Sequence, residues 1–220
     1  MSLFTNSSCG IFPTLSANYP IANYPLAALC LDYKMTLGRF GIESSLYNGK
    51  GYNGWSKGKH PFTFNPRKDG VFSITEINYQ TEYGKCFGGF SLHTNGDMPD
   101  VAGECKTRER EKKVSPKMTF AWWGYAERKL WSRVRQEVNL LVQYTRTSSV
   151  FSECRNYMGA GVTWIHAPGG QKRHEAGLFL SAAQFKSCNE VAGEVTYRYS
   201  FNRDTYIPVS YTHLTLPTNS

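Results

Sequence analysis

Seven side chains of this 220-residue chain place charged or hydrogen-bonding groups among apolar neighbours: Glu43, Glu76, Glu137, Asn139, Gln143, Glu194 and Arg198. Carboxylates and a guanidinium set a local field, and amides both donate and accept hydrogen bonds. Such a set suits a surface that passes or holds polar solutes better than one that breaks covalent bonds. The reactive pairings are weaker. Cys9 with His60, His93, His166 or His174 could supply a nucleophile and a base, yet no local signature joins them, and no enzyme is expected. Cys86, His93 and Cys105 are too irregularly spaced for a metal site. No Cys-x-x-Cys pair exists among Cys9, Cys30, Cys86, Cys105, Cys154 and Cys188, and no cofactor is expected. Isolated disulfides suit an oxidising compartment, but sequence does not pair them.

The elements that carry these residues are strands. In Phe40–Tyr47, Phe40, Ile42 and Leu46 share one face, and Gly41, Glu43 and Ser45 the other. In Val138–Thr145, Val138, Leu140, Val142 and Tyr144 oppose Glu137, Asn139 and Gln143, with Leu141 as the exception. In Val191–Tyr199, Val191, Gly193, Val195, Tyr197 and Tyr199 oppose Ala192, Glu194, Thr196 and Arg198. Period two means extended chain. The pattern predicts nine strands, near 28–36, 39–48, 71–81, 86–94, 117–126, 136–146, 157–166, 174–184 and 190–200. A tenth begins near Thr205. No stretch reads as a helix; Ala126–Gln136 is the nearest candidate. Met35–Gly38, Glu82–Lys85 and Phe201–Asp204 are short connections, whereas Asn48–Gly70 and Asn95–Pro116 are long and polar. The expected fold is an all-β antiparallel meander in one continuous sheet.

Composition agrees. Aromatic residues reach 15%, while charged residues are only 19%, below the roughly 25% of an ordinary soluble domain. Mean hydropathy is nevertheless −0.45, as expected of strands wet on one side and apolar on the other. No apolar run approaches the ~18 residues of a spanning helix. The net charge of +8 fits a solvated basic surface or attraction to anionic lipid, and no nucleic-acid motif accompanies it. The first residues, Met1-Ser2-Leu3-Phe4, lack the basic start and apolar core of a signal peptide.

Several short motifs, taken in order, resemble the carbohydrate-selective porins of the OprB type. Phe4-Thr5-Asn6-Ser7-Ser8-Cys9-Gly10 leads to Pro13-Thr14-Leu15-Ser16 and then to Tyr19-Pro20 and Tyr24-Pro25-Leu26. Leu46-Tyr47-Asn48-Gly49 closes a strand in the family's manner. Asp69-Gly70-Val71-Phe72, with Glu76 and Tyr79, resembles the strand after its long loop. Glu194-Val195-Thr196-Tyr197-Arg198-Tyr199 and Tyr206-Ile207-Pro208 resemble two strands near its end. The resemblance runs through about residues 3–208. The cysteines and the charged stretch 97–117 depart from it. Beyond it, Ser210-Tyr211-Thr212-His213-Leu214-Thr215-Leu216-Pro217-Thr218 resembles a translated sequencing adapter. The expected organisation is therefore a partial outer-membrane β-barrel over 1–208 and a non-native, loosely packed or irregular tail over 209–220.

The resemblance implies a porin: a polar path for carbohydrate diffusion across a bacterial outer membrane. It implies carbohydrate solutes and outer-membrane lipid as partners, no nucleic acid, and an assembly that admits further copies of the chain. The seven polar residues become lumen candidates, because an Arg or Lys facing lipid near the midplane costs about 2–4 kcal/mol. Trp55 and Trp122-Trp123 could stack on sugar, although loop packing and an interfacial belt suit them better. Such barrels have about sixteen strands, so this chain is expected to form an open sheet with 28–36 at one edge and 190–209 at the other. The competing fold is a soluble sugar-binding β-sandwich or jelly roll, which needs a dry interior between two sheets.

Overall fold

Alternating residues extend the chain, and short turns return it beside itself. The computed structural model describes residues 3–4, 27–51, 62–94, 118–148, 154–170, 173–186, 188–202 and 205–215. Its strands are β1 (Cys30–Leu37), β2 (Phe40–Asn48), β3 (Val71–Thr81), β4 (Gly84–His93), β5 (Thr119–Arg133), β6 (Gln136–Ser148), β7 (Cys154–His166), β8 (His174–Phe185), β9 (Asn189–Ser200) and β10 (Tyr206–Thr215). They form one sheet in the order β1-β2-β3-β4-β5-β6-β7-β8-β9-β10, each antiparallel to the next. Among the described residues β1 pairs only with β2, and β10 only with β9, so the sheet is open at these two edges. The meander and its edges are as the sequence predicts.

Two expectations fail, each for a backbone reason. Ala126–Gln136 is not helical: β5 runs on to Arg133, and the next strand begins at Gln136. A bulge between Lys129 and Trp131 explains the misleading pattern. The extra residue, Leu130, shifts the alternation by one, so the period does not carry through from the charged run Glu127-Arg128-Lys129 to Trp131. The tail beyond Val209 is not irregular either. Val209 pairs with Tyr197, and the ladder continues to Thr215 opposite Val191. Pairing uses main-chain groups, so a strand edge accepts almost any sequence, and this edge strand even carries Pro208 opposite Arg198. Residues 216–220 lie outside the described residues.

The turns 38–39, 82–83 and 134–135 sit at one end of the sheet, where β7 ends at His166 and β9 at Ser200. Gly38 has φ 61° at the first central position of the β1–β2 turn, a conformation that costs glycine nothing. At the opposite end, the sequence intervals between β2 and β3 and between β4 and β5 are long, whereas those between β6 and β7 and between β8 and β9 are short.

Burial is inverted relative to a soluble domain. Among the described residues, fifteen polar or charged side chains are buried against nine hydrophobic ones. Glu194 is 0% exposed, while its neighbour Val195 is 55% exposed. The same holds on β6, where Asn139 and Gln143 are buried and Val142 is exposed. Side chains on the concave side of a curved sheet converge and shield one another, whereas those on the convex side splay apart. The polar face is therefore the inner one. A sandwich or jelly roll would need a second sheet over a dry interior; the described residues form one sheet with its polar side inward.

Candidate functional site

The inner wall is assembled by register. Antiparallel pairing puts directly opposed residues on the same face, so one inward residue per strand fixes its row. All seven sequence candidates fall on this face, but they do not converge on one point.

Near the β1 edge, Glu43 stands opposite Glu76. Two carboxylates so placed repel. Lys34, the partner of Glu43 across β1, offsets this with an ion pair at 3.0 Å. Glu76 in turn takes a hydrogen bond from the Trp123 side chain. Trp123 fits there because its facing residue is Gly89, where a β-carbon would stand 2.5 Å from the indole.

In the middle of the sheet, Glu137 pairs with Lys129 at 3.1 Å, and Lys85 with Glu127 at 3.0 Å. Tyr125 donates its hydroxyl to Glu127 at 2.8 Å. Asn139 is 3% exposed in the same row as Lys129 and Thr163. Gln143 donates through Nε2 to the Tyr157 hydroxyl at 2.6 Å.

The densest group lies on β8–β10. Arg198 donates through Nε to Glu175 Oε2 at 2.6 Å and again through Nη2 to the same oxygen. Its guanidinium also lies over the Tyr206 ring, 5.4 Å from the centroid, a favourable cation–π placement. Glu194 accepts from Ser210 Oγ at 2.6 Å. Along β8 and β9 the inward register reads Glu175 with Arg198, Gly177 with Thr196, and Phe179 with Glu194.

Alternation alone misses Lys34, Glu127, Tyr157 and Glu175. The signal for Glu175 is present, because Glu175, Gly177, Phe179 and Ser181 alternate against Ala176, Leu178 and Leu180. A glycine and a phenylalanine in the polar row hide it. Glu127 is hidden by the bulge that makes its segment look helical. The two tryptophans separate: Trp123 is buried on the inner wall, and Trp122 points outward against Tyr144, with ring centroids 5.1 Å apart. Trp55 lies outside the described residues.

At the rim, the two loop-flanking motifs meet. Asn48 Nδ2 donates to Asp69 Oδ2 at 3.1 Å and to the Lys50 carbonyl at 2.9 Å, and Asn48 Oδ1 accepts from the Asn65 amide at 3.1 Å. Asn65 also caps the short helix α1 (Pro66–Asp69). His93 Nε2 contacts the Gly49 carbonyl at 2.9 Å. A β-carbon on Gly49 would strike the Asp69 and Gly70 backbone, so glycine is required there. This knot closes both ends of segment 49–70 and holds the loop base to the wall.

Of the residues in the reactive and metal-binding pairings, Cys86, His93, His166 and His174 fall among the described residues. Cys86 faces outward opposite Ala126, whereas His93 faces inward opposite Thr119, and strand neighbours on opposite faces cannot share an ion. Cys9, His60 and Cys105 lie outside the described residues. Cys30, Cys86 and Cys188 are free thiols.

Among solved structures, the chain is similar to the high-pH structure of Pseudomonas putida OprB, with a TM-score of 0.64 and 12% sequence identity. The likeness covers 89% of this chain and 55% of that one, so the chain spans about half the length of the protein it matches. At this identity the likeness shows the fold, which is that of part of an OprB-type porin barrel. No protein-family model and no curated protein matches the sequence.

Proposed function

We propose that this chain forms part of an outer-membrane porin whose inner wall passes carbohydrates by diffusion, without covalent chemistry. The observation that carries the proposal is the inverted burial. A polar inner face and an apolar outer one are what a bilayer on one side and a water-filled lumen on the other require. The outward residues support it. Val142, Val162, Leu178, Leu180 and Val195 are all exposed on that side. Aromatic pairs flank this band. Phe40–Tyr79 and His174–Tyr199 lie toward the short-turn end, and Phe90–Phe120 and Trp122–Tyr144 toward the other. Aromatic girdles sit at the two interfaces of such barrels.

Sugars present hydroxyls to donors and acceptors, and C–H faces to apolar rings. The inner wall offers Glu43, Glu76, Glu137, Asn139, Gln143, Glu194 and Arg198 as pore-lining groups for the first. Selectivity in a channel follows lumen diameter, hydrogen-bonding groups and charge at the narrowest ring. Further strands would close the barrel, because unpaired backbone groups at β1 and β10 cost several kcal/mol each in lipid. In this reading residues 1–208 are native barrel, 209–220 are a non-native tail whose first residues extend β10 along β9, and lipid and further copies of the protein are its neighbours.

The complete protein in planar bilayers tests this. Ion conductance should appear and should fall as sugar occupies the lumen. Glu76→Gln removes a negative charge and should shift the reversal potential away from cations. Arg198→Gln should shift it toward them. Conductance indifferent to sugar, with selectivity unchanged in both variants, would remove the sugar path and these residues from the pore.

A further inference from the structure

The inner wall carries an apolar slot within its polar surface. Phe179 points inward from β8 and is 2% exposed. Its ring lies over two glycines of β7: a β-carbon on Gly159 would stand 2.6 Å from its Cζ, and one on Gly161 would stand 2.5 Å from its Cδ2. Phe4, far away in sequence, packs against this ring with centroids 5.1 Å apart at 53°. Phe4 fills the space that Gly177 leaves, where a β-carbon would meet Phe4 Cζ at 2.8 Å and Leu3 Cδ2 at 3.0 Å. Thr196, opposite Gly177, holds its hydroxyl 3.5 Å from the Leu3 carbonyl. Ala192 and Leu141 complete the apolar patch. Three glycines at inward positions thus make room for two rings.

We propose that Leu3–Phe4 is a strap docked on the lumen side of β8 and β9, and that Phe4 sets the channel width at this level. Phe4 is only 6% exposed, so the ring is seated in the slot. Chain carried over the concave face takes cross-section from any solute path along it. The strap sits between two carboxylates, since Glu175 and Glu194 occupy the levels on either side of the Gly177–Thr196 pair. While Phe4 is seated, Phe179 is kept from the lumen.

The narrowing rests on the porin reading, whereas the docking of Phe4 does not, and two measurements separate them. In the first, p-benzoylphenylalanine replaces Phe4 in the full chain in detergent, and photo-crosslinked peptides are identified by mass spectrometry. Crosslinks to β8 and β9 are expected. Their absence, or crosslinks elsewhere, overturns the docking whether or not the protein conducts. In the second, single-channel conductance is compared for the complete protein and its Phe4→Ala and Gly177→Ala variants. Each should raise conductance roughly 1.2- to 2-fold, because flow follows pore diameter. The double variant should rise no further than either alone, since both empty the same slot. Open channels of unchanged conductance in both variants overturn the restricting role.

Discussion

Lys34 meets Glu43 at 3.0 Å near one edge of the sheet, and Arg198 meets Glu175 near the other. Both are cross-strand pairs of opposite charge on the inner face. Their surroundings differ. The Lys34 and Glu43 side chains are 67% and 46% exposed, against 14% and 7% for Arg198 and Glu175. β1 has no described strand beyond it, so solvent reaches Lys34 from the open side. Arg198 has β10 beside it and the Tyr206 ring against its guanidinium. Register brings the charges together in both places, but the neighbouring strand decides what the pair is worth. An exposed pair is screened and loses side-chain entropy. A buried pair sets the position of its members, and removing one strands the other.

Breaking the buried pair should therefore have the largest effect. Glu175→Ala leaves Arg198 desolvated without its partner and should lower stability by about 3–5 kcal/mol, read as an earlier urea midpoint in detergent or vesicles. A loss near zero would mean that water reaches Arg198 and that the two ends of the sheet are alike.

The same strand offers a sharper comparison between faces. Val195→Arg puts on the outer side of β9 the charge that Arg198 carries on the inner side. In a bilayer it should cost about 2–4 kcal/mol, whereas an outer face in water would tolerate it. Equal stability of this variant and the parent in vesicles would remove lipid from the outer face.

Glu194→Gln is the intermediate case. It keeps the shape but replaces a charge-assisted bond from Ser210 with a neutral one, so the loss should be roughly 1 kcal/mol. Ser210→Ala made in that background should add little, because the two act as one contact. A fully additive double variant would mean that Ser210 serves another partner.

Lys34→Ala should have the smallest effect, with an unfolding midpoint indistinguishable from the parent at physiological salt. Its effect should emerge, if anywhere, at low ionic strength, where screening is weakest. A large loss at high salt would show that the β1 edge is covered in the assembled protein.

Period-two alternation made nine strands and their faces legible, because a pleated strand repeats every two residues whatever surrounds it. It also placed Glu43, Glu76, Glu137, Asn139, Gln143, Glu194 and Arg198 on one face. The reading failed where the backbone broke that period. The bulge at Leu130 turned a strand into an apparent helix and hid Glu127. The tail beyond Val209 joined the sheet because a strand edge recruits main chain rather than side chains.

Sequence by itself determined the local facts: extended segments, their polar and apolar sides, and the glycine at the β1–β2 turn. It did not determine which side is inside. In a soluble sandwich the same alternation would bury Val195 and expose Glu194; here Glu194 is buried and Val195 is exposed. Curvature of the whole sheet makes that choice, and no single strand contains it. Partners were likewise undecidable strand by strand. That Arg198 finds Glu175, that Asn48 finds Asp69, and that Phe4 finds the slot over Gly177 follow from register and closure between distant segments. Those contacts exist only once the strands are aligned, because a shift of one residue would turn every side chain to the other face.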